Sequence, residues 1–590
     1  MNLASHTRLF WILLVVISLA SLYSQENIGQ FGLMLPFNVI VWALVGVFVI
    51  FSCSRVVVVG RLNTNVFTAF WAISIFLVLC IGLYQSNLKF EELILVILAF
   101  TAIGLFVFSV QQYNIREEHI QMIFEVFVVV ALCQALIGMA QVHDDSYWFY
   151  TNVVSYPPLT ITAGKPVGVF QQVNMFATFM SVAILMVGVL IIHFSNNLKI
   201  KYAWLLAFTV LFSYLLFITG SRAGLLSLVL GLFLMIFVVL KYKRNGIKIW
   251  LYIVAICLGL LLSQVAMPIN AVSGLGSIDT KIDRVIQGAD VRQMLFQTAW
   301  IQFLDSPFYG HGIGNYLNSF LSVEKGIPVS SPFYKYSIHG YIHPHNELLF
   351  WIVNSGVVVL ISLIVLFIQF IKAFKLAENM FLNFLILSVS IPLIVQANLS
   401  YMFSLSAVHL FLLLFLMAIM AKGADKARDL DVLTGSKVLI LPFSISITIV
   451  LFFACWHTLV STKEVVEFKD RHLLNYVKTK EEALNTVYLK YASDNPIYKD
   501  GARKSMLLMV DDALEKRNAY EVIQFIRWVN QYEYLLGEEA FLKALITSYL
   551  FIKRDDLALT LFNEKKRVLT EIDQAKFNRI FNKVVNVSGE

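Results

Sequence analysis

Residues 222–244, RAGLLSLVLGLFLMIFVVLKYKR, decide the fold. Between Arg222 and Lys241 run eighteen residues without a charge, the length and polarity of a helix that crosses the hydrocarbon core of a bilayer. One arginine heads the run, while Lys241, Lys243, Arg244 and Lys248 follow its foot, the asymmetry expected when the foot faces the cytoplasm. The pattern recurs along the chain. Of 590 residues 58% are hydrophobic and the mean hydropathy is +0.75, which excludes a soluble enzyme. Thirteen spans are expected, centred near residues 15, 42, 75, 101, 130, 183, 210, 231, 258, 360, 388, 411 and 449. The first apolar run, Leu9 to Leu22, follows Arg8 but lacks a small-residue cleavage site, so it reads as a retained span.

Loop charge orients the set. Fifteen basic residues follow the even-numbered spans, from Arg55 and Arg61 through Arg116, Lys199 and Lys201 to Lys437. The opposite loops before the ninth span offer Lys89, Lys165 and Arg222. The N-terminus is therefore expected in the cytoplasm and the C-terminus outside. Residues 1–460 form a transmembrane domain in this reading, and residues 461–590 a water-exposed one, because 21 basic and 20 acidic residues fall after position 460. Amphipathic stretches there (Val465–Leu489, Gly501–Lys516, Ala519–Tyr534, Glu538–Ile552, Leu557–Leu569, Gln574–Val585) suggest an all-α hairpin array of tetratricopeptide-like kind, although no clean repeat of ~34 residues accompanies them. No basic and aromatic surface pattern favours a nucleic-acid partner. The five cysteines lie in or beside apolar runs without CxxC or CxH pairing, so neither a disulfide framework nor a zinc site is expected.

Two outward loops are long. The first, about 141–172, carries Tyr147, Trp148, Phe149, Tyr150, Tyr156, Pro157 and Pro158, a mixture suited to the membrane interface and to a re-entrant turn. The second, about 267–347, is too long for an idle connection. Its middle, Asp290 to Leu304, has the apolar spacing of a helix; Pro307 follows, and Gly310-His311-Gly312-Ile313-Gly314 makes a flexible turn. It ends in Tyr341-Ile342-His343-Pro344-His345-Asn346-Glu347-Leu348-Leu349, which concentrates two histidines, an amide and a carboxylate at the head of a span. Pro344 suits a first helical turn, so His345, Asn346 and Glu347 are expected to open the helix. On the same face, Arg222 and Arg292 supply planar, permanently charged groups suited to a phosphate or pyrophosphate. Gln171, Gln172 and Asn174 supply amides at the start of the sixth span; they suit sugar hydroxyls or phosphate oxygens as well as an ordinary helix cap. Lys325 and Lys335 read as loop-surface charges.

Taken in order, the run Gly168 to Ala177, Ser221-Arg222-Ala223-Gly224, the Arg292-led helix, Pro307-x-x-Gly310-His311-Gly312-Ile313-Gly314 and His343-Pro344-His345-Asn346-Glu347-Leu348-Leu349 resemble the bacterial O-antigen ligase superfamily. Within it the HPHNELL form is most similar to the protein O-oligosaccharyltransferases that glycosylate pilins and other periplasmic proteins. The resemblance covers roughly residues 160–420. It implies an inner-membrane enzyme that transfers a preassembled glycan from undecaprenyl pyrophosphate to a Ser or Thr hydroxyl on the periplasmic side, without a metal or other cofactor. It also implies that His345 is the essential histidine, that Arg222 and Arg292 bind pyrophosphate, and that Gln172, Asn174, Gly312, Gly314, His343, Asn346 and Glu347 support them. Spacing alone leaves His343 or Glu347 free to share the base role. A ligase acting on lipid A-core, a glycan polymerase and, from another class, a lipid-linked sugar flippase remain alternatives.

Overall fold

The computed structural model describes residues 3–25, 27, 32–84, 86, 90–143, 165–194, 200–243, 246–265, 291–324, 341–422, 428–431, 434–474, 489–495, 497–531, 536 and 539–587. The aromatic loop 144–164, Lys325, Lys335 and the approach to the Arg292 helix therefore lie outside the described residues. The chain divides into two units, residues 1–25 with 29–455, and residues 26–28 with 456–590.

The first unit is built from α1 Leu3–Ala20, α2 Pro36–Val59, α3 Val66–Tyr84, α4 Phe90–Gln111, α5 Glu117–His143, α6 Val173–Val189, α7 Ile200–Thr219, α8 Arg222–Lys241 and α9 Gly246–Val265. It continues with α10 Val291–Asp305, α11 Tyr316–Glu324, α12 Glu347–Lys375, α13 Met380–Leu399, α14 Met402–Leu405, α15 Ala407–Met420 and the start of α16 Thr434–Leu474. Among the described residues eleven helices are long and apolar enough to cross a membrane; the expected spans near 15 and 411 are shorter apolar helices, Phe10–Ala20 and Ala407–Met420. The protein is thus an all-α, multi-pass membrane protein. One short antiparallel pair, β1 Arg61–Thr64 with β2 Arg428–Asp431, departs from the helical expectation.

Sequence chemistry sets the helix ends. Pro36 opens α2 and Gly60, in the left-handed region, closes it, while Asn379 caps α13 and Ser406 caps α15 through their side chains. The apolar span of α6 is wholly buried, so this helix is the axis around which α5, α7, α8 and α13 pack. Helix α8 shows how an all-apolar run acquires two faces. Gly224, Ser227, Leu228, Gly231 and Met235 are buried, whereas Leu226, Val229, Phe233 and Phe237 are exposed and suited to lipid. Small residues let the backbones approach: a Cβ on Gly231 would lie 2.5 Å from Leu185 Cδ1 of α6 and 3.0 Å from the Ser388 carbonyl of α13. That carbonyl has no intrahelical donor, because Pro392 stands four residues on.

In the second unit, helices of 11 to 17 residues pack in succession: α18 Lys499–Glu515, α19 Ala519–Gln531, α20 Glu539–Phe551, α21 Asp555–Lys565 and α22 Glu571–Val587, preceded by the short α17 Lys490–Asp494. Trp528 is fully buried with its indole N–H on Ser493 Oγ at 2.9 Å, and Leu542, Ile546, Phe562, Phe577 and Phe581 form a core. The expected helix Val465–Leu489 is corrected. Residues 465–474 continue the 41-residue α16, because nothing between the apolar span and Leu474 breaks helical geometry, and residues 475–488 lie outside the described residues.

Candidate functional site

The HPHNE segment forms a turn, not a helix start at His345. Asn346 is the N-cap of α12: its backbone is extended and its Oδ1 accepts the Leu349 N–H at 2.9 Å. The helix opens at Glu347, one position beyond the cap. His345 instead takes the left-handed backbone region, φ 58°, a conformation that costs a non-glycine residue roughly 1–2 kcal/mol. Its N–H donates to His343 Nδ1 at 3.0 Å, which compensates part of that cost. This contact fixes His343 with its proton on Nε2, facing Glu347 Oε2 at 3.6 Å, within ion-pair reach but beyond a good hydrogen bond. His343 and Glu347 are each only 5% exposed, and His343 stacks on Phe350 with centroids 4.4 Å apart.

Two side chains of the turn reach across to the segment between α13 and α14. Asn346 Nδ2 donates to the Asn398 carbonyl at 3.0 Å, and Glu347 Oε1 accepts the Phe403 N–H at 3.0 Å. Tyr401 lies between these anchors, edge-on to His345 at 4.8 Å and 5.5 Å from the His343 ring. The sequence reading missed this wall; its signal was the polar interruption Asn398-Leu399-Ser400-Tyr401 between two apolar runs.

His345 is half-buried, and among the described residues neither of its ring nitrogens has a hydrogen-bond partner. Burial, then the neighbouring His343 and then Arg292, all disfavour its charged form and push its pKa down to about 4. The imidazole is therefore neutral across the physiological range, and the same burial makes it a weaker base than an ordinary histidine. Arg292, near the start of α10, is within electrostatic range of His345.

The glycine turn docks α10 onto α12. Helix α12 breaks at Gly356, φ 71° and ψ −167°, and the loop after α10 fills the gap: His311 N–H donates to the Val353 carbonyl, Gly312 N–H to Asn354, and Val357 N–H returns to Pro307. A Cβ on Gly356 would stand 2.2 Å from the Phe308 carbonyl, and one on Gly310 2.4 Å from Asn354, so side chains are excluded at both. Gly312 and Gly314 also have positive φ, and His311 Nε2 meets the Gln302 carbonyl at 2.8 Å, a structural role. The non-helical break at Gly356 was not anticipated from the sequence.

Arg222 is the first residue of α8, capped by Ser221, whose Oγ accepts the Gly224 N–H and donates to Asn174 Oδ1 at 2.8 Å. Asn174 therefore ties α6 to the Arg222 turn. Gln172 is the N-cap position of α6 but makes no side-chain cap; among the described residues its buried Oε1 has no hydrogen-bond partner. Gly231 of α8 meets Ser388 of α13, and the two helices run in opposite directions. Climbing nine residues from Gly231 reaches Arg222, and the same climb on α13 reaches Ala397, beside the Asn398 carbonyl held by Asn346. Register thus brings Arg222 toward the level of the histidine turn.

With this geometry in place, the comparisons add what the chain is similar to: residues 207–364 match the O-antigen ligase family model. The match contains Arg222, Arg292, the glycine turn and the histidine turn, and excludes Gln172, Asn174 and Tyr401. Over 233 residues the chain is 27% identical to the teichuronic acid biosynthesis protein TuaE of Bacillus subtilis (strain 168), covering 37% of this chain and 44% of that protein. The chain thus spans less than half the length of that curated relative. No solved structure matches.

Proposed function

We propose that the protein transfers a preassembled oligosaccharide from undecaprenyl pyrophosphate to Ser or Thr hydroxyls of pilin or other periplasmic proteins, from the inner membrane. The observation that carries this reading is His345: half-buried, neutral above a pKa of about 4, with no partner for its ring nitrogens among the described residues and with Arg292 in range. A general base must be unprotonated and able to accept a proton: His345 is neutral, and because burial also weakens it as a base, it takes the proton only as the attacking hydroxyl gives it up in the transition state. His343 is a poorer candidate because its Nδ1 is already taken, and Glu347 because its Oε1 holds the Phe403 N–H.

In this mechanism His345 takes the proton of the acceptor hydroxyl as its oxygen attacks the anomeric carbon. The bond from that carbon to the pyrophosphate oxygen breaks, and the pyrophosphate leaves on its lipid with the electron pair. Arg222 and Arg292 neutralise the charge that develops there, a contribution largest in a site preorganised for it. One displacement inverts the anomeric configuration. Gln172, with an unpartnered buried amide oxygen, is suited to a donor hydroxyl.

A lipid acceptor is the second reading, favoured by the O-antigen ligase family match itself. The second, helical unit supports a protein acceptor, since packed helical arrays present protein-binding surfaces. The deciding experiment gives purified full-length protein an undecaprenyl-pyrophosphate glycan with a pilin-type protein and lipid A-core in competition, followed by intact-mass analysis. Glycan mass on the protein supports the proposal; glycan mass on the lipid alone makes the protein an O-antigen ligase; transfer to neither removes both.

A further inference from the structure

The His345 turn is held from one side by its own helix, and from the other by a segment that the family match does not reach. That segment, Asn398 to Phe403, leaves α13 at Ser400 in extended backbone and enters the four-residue α14 at Met402. Its two ends are fastened to the histidine turn by the Asn346–Asn398 and Glu347–Phe403 hydrogen bonds, both 3.0 Å. A third bond, from the Leu405 N–H to the Tyr401 carbonyl at 3.1 Å, fixes the backbone of Tyr401 itself. The side chain between these anchors has little freedom, and its ring packs on both histidines.

The arrangement is reciprocal. Asn346 and Glu347 are the immediate neighbours of His345 in sequence and space, and they hold the segment that presents Tyr401. Tyr401 in turn presents its ring to the His345 imidazole at an interplanar angle of 87° and a centroid distance of 4.8 Å. A T-shaped aromatic contact is directional and excludes water from one side of the imidazole without occupying its ring nitrogens. His345 needs such support, since its left-handed backbone is one that a non-glycine residue keeps only when its surroundings impose it.

We propose that Tyr401 is a positioning residue: its ring, presented by the Asn346 and Glu347 clamps, fixes the His345 imidazole in its strained turn and shields it from water. This rests on His345 being the base of the transfer reaction. The groups facing that imidazole are His343 and Glu347 from the turn and α12, Arg292 from α10 and Tyr401 from the segment before α14. Arg292 is permanently charged, and the Tyr401 ring is the apolar group among them, so removing that ring chiefly admits water. Hydration favours the charged imidazole and moves its midpoint upward.

The test measures His345 apart from turnover. Diethylpyrocarbonate attacks the neutral imidazole, so the rate of His345 carbethoxylation against pH, read by peptide mass spectrometry on the detergent-solubilised full chain, reports its protonation. Wild type is expected to show an inflection at about 4. Tyr401→Phe keeps the ring and the inflection. Tyr401→Leu moves the inflection toward the ordinary value of ~6.5 and lowers kcat by roughly 10- to 100-fold with the KM for the lipid donor unchanged. Where the leucine variant does not accumulate, Tyr401→Met carries the same arm. A wild-type inflection already near 6.5, or one that neither leucine nor methionine moves, overturns the proposal. A KM effect with unchanged kcat and inflection also overturns it and makes Tyr401 a donor contact. An inflection that moves while His345→Ala still transfers glycan overturns the base reading and leaves the packing role of Tyr401 supported.

Discussion

His345 and His409 are two desolvated histidines in one helical bundle, and the protein uses them in opposite ways. His409, in the first turn of α15, is fully buried with Nδ1 at 2.7 Å from Ser406 Oγ and Nε2 at 3.2 Å from the Met175 carbonyl, so one nitrogen is spent on the cap of α15 and the other on joining α15 to α6. His345 is half-buried on a strained turn, and its nitrogens are spent on nothing within the described protein. Burial alone therefore does not mark a functional histidine. What marks it is desolvation without internal satisfaction, beside a permanent charge. The helix that supplies this charge, α10, is itself held in place by a break in α12.

Arg292 offers the largest break in that comparison. Arg292 lies in range of His345, whereas the contacts of His409 are Ser406 and the Met175 carbonyl, so Arg292→Gln should cost His345 chemistry alone. Removal of one preorganised transition-state donor is expected to lower single-turnover transfer by about 10²–10³-fold, with folding unchanged by thermal melting. A loss under threefold would separate the arginine from the reaction. Next comes Gly356→Ala, which forces a side chain into the Phe308 carbonyl and a backbone that only glycine tolerates. It should destabilise the protein by ~2 kcal/mol or more and release α10 from α12. Gly501→Ala, where a Cβ meets nothing within 4 Å, is the control with unchanged or slightly raised melting temperature. His409→Ala should cost about 1–3 kcal/mol of stability by leaving a buried hydroxyl and carbonyl unpaired. Turnover per folded molecule should stay near wild type; a catalytic defect there would dissolve the distinction between the two histidines.

The smallest effect is in pH. Since the folded pKa of His345 lies at about 4 and the unfolded value at ~6.5, the unfolded chain takes up a proton in that window which the folded site refuses. Stability thus falls as pH falls from ~6.5 through about 4, while the acid limb of kcat/KM sits near 4. An acid limb at 6.5 would mean a hydrated imidazole or another base.

Sequence patterning revealed most of this fold for a physical reason. A bilayer demands long uncharged runs, and each of the eleven long apolar helices falls on an expected centre. The residue types of the candidate site stand out in the sequence, because helix-heading arginines, a glycine turn and the His343-Pro344-His345-Asn346-Glu347 run each leave a local signature. The site's geometry was less legible. The left-handed His345 was hidden because Pro344 and Asn346 suit either a helix start or a turn, and the break at Gly356 because glycine is common in membrane helices. Tyr401 was hidden for another reason: its contact with His345 joins positions 56 residues apart, and periodicity carries no information about such pairs.

The account stands on one measurement: intact mass of an acceptor protein after purified full-length protein is mixed with undecaprenyl-pyrophosphate glycan, for wild type beside His345→Ala at equal donor occupancy. The expected result is one glycan mass added by wild type and a rate at least 10²-fold lower for the variant, with the lipid donor still bound. Transfer by His345→Ala at the wild-type rate would contradict it.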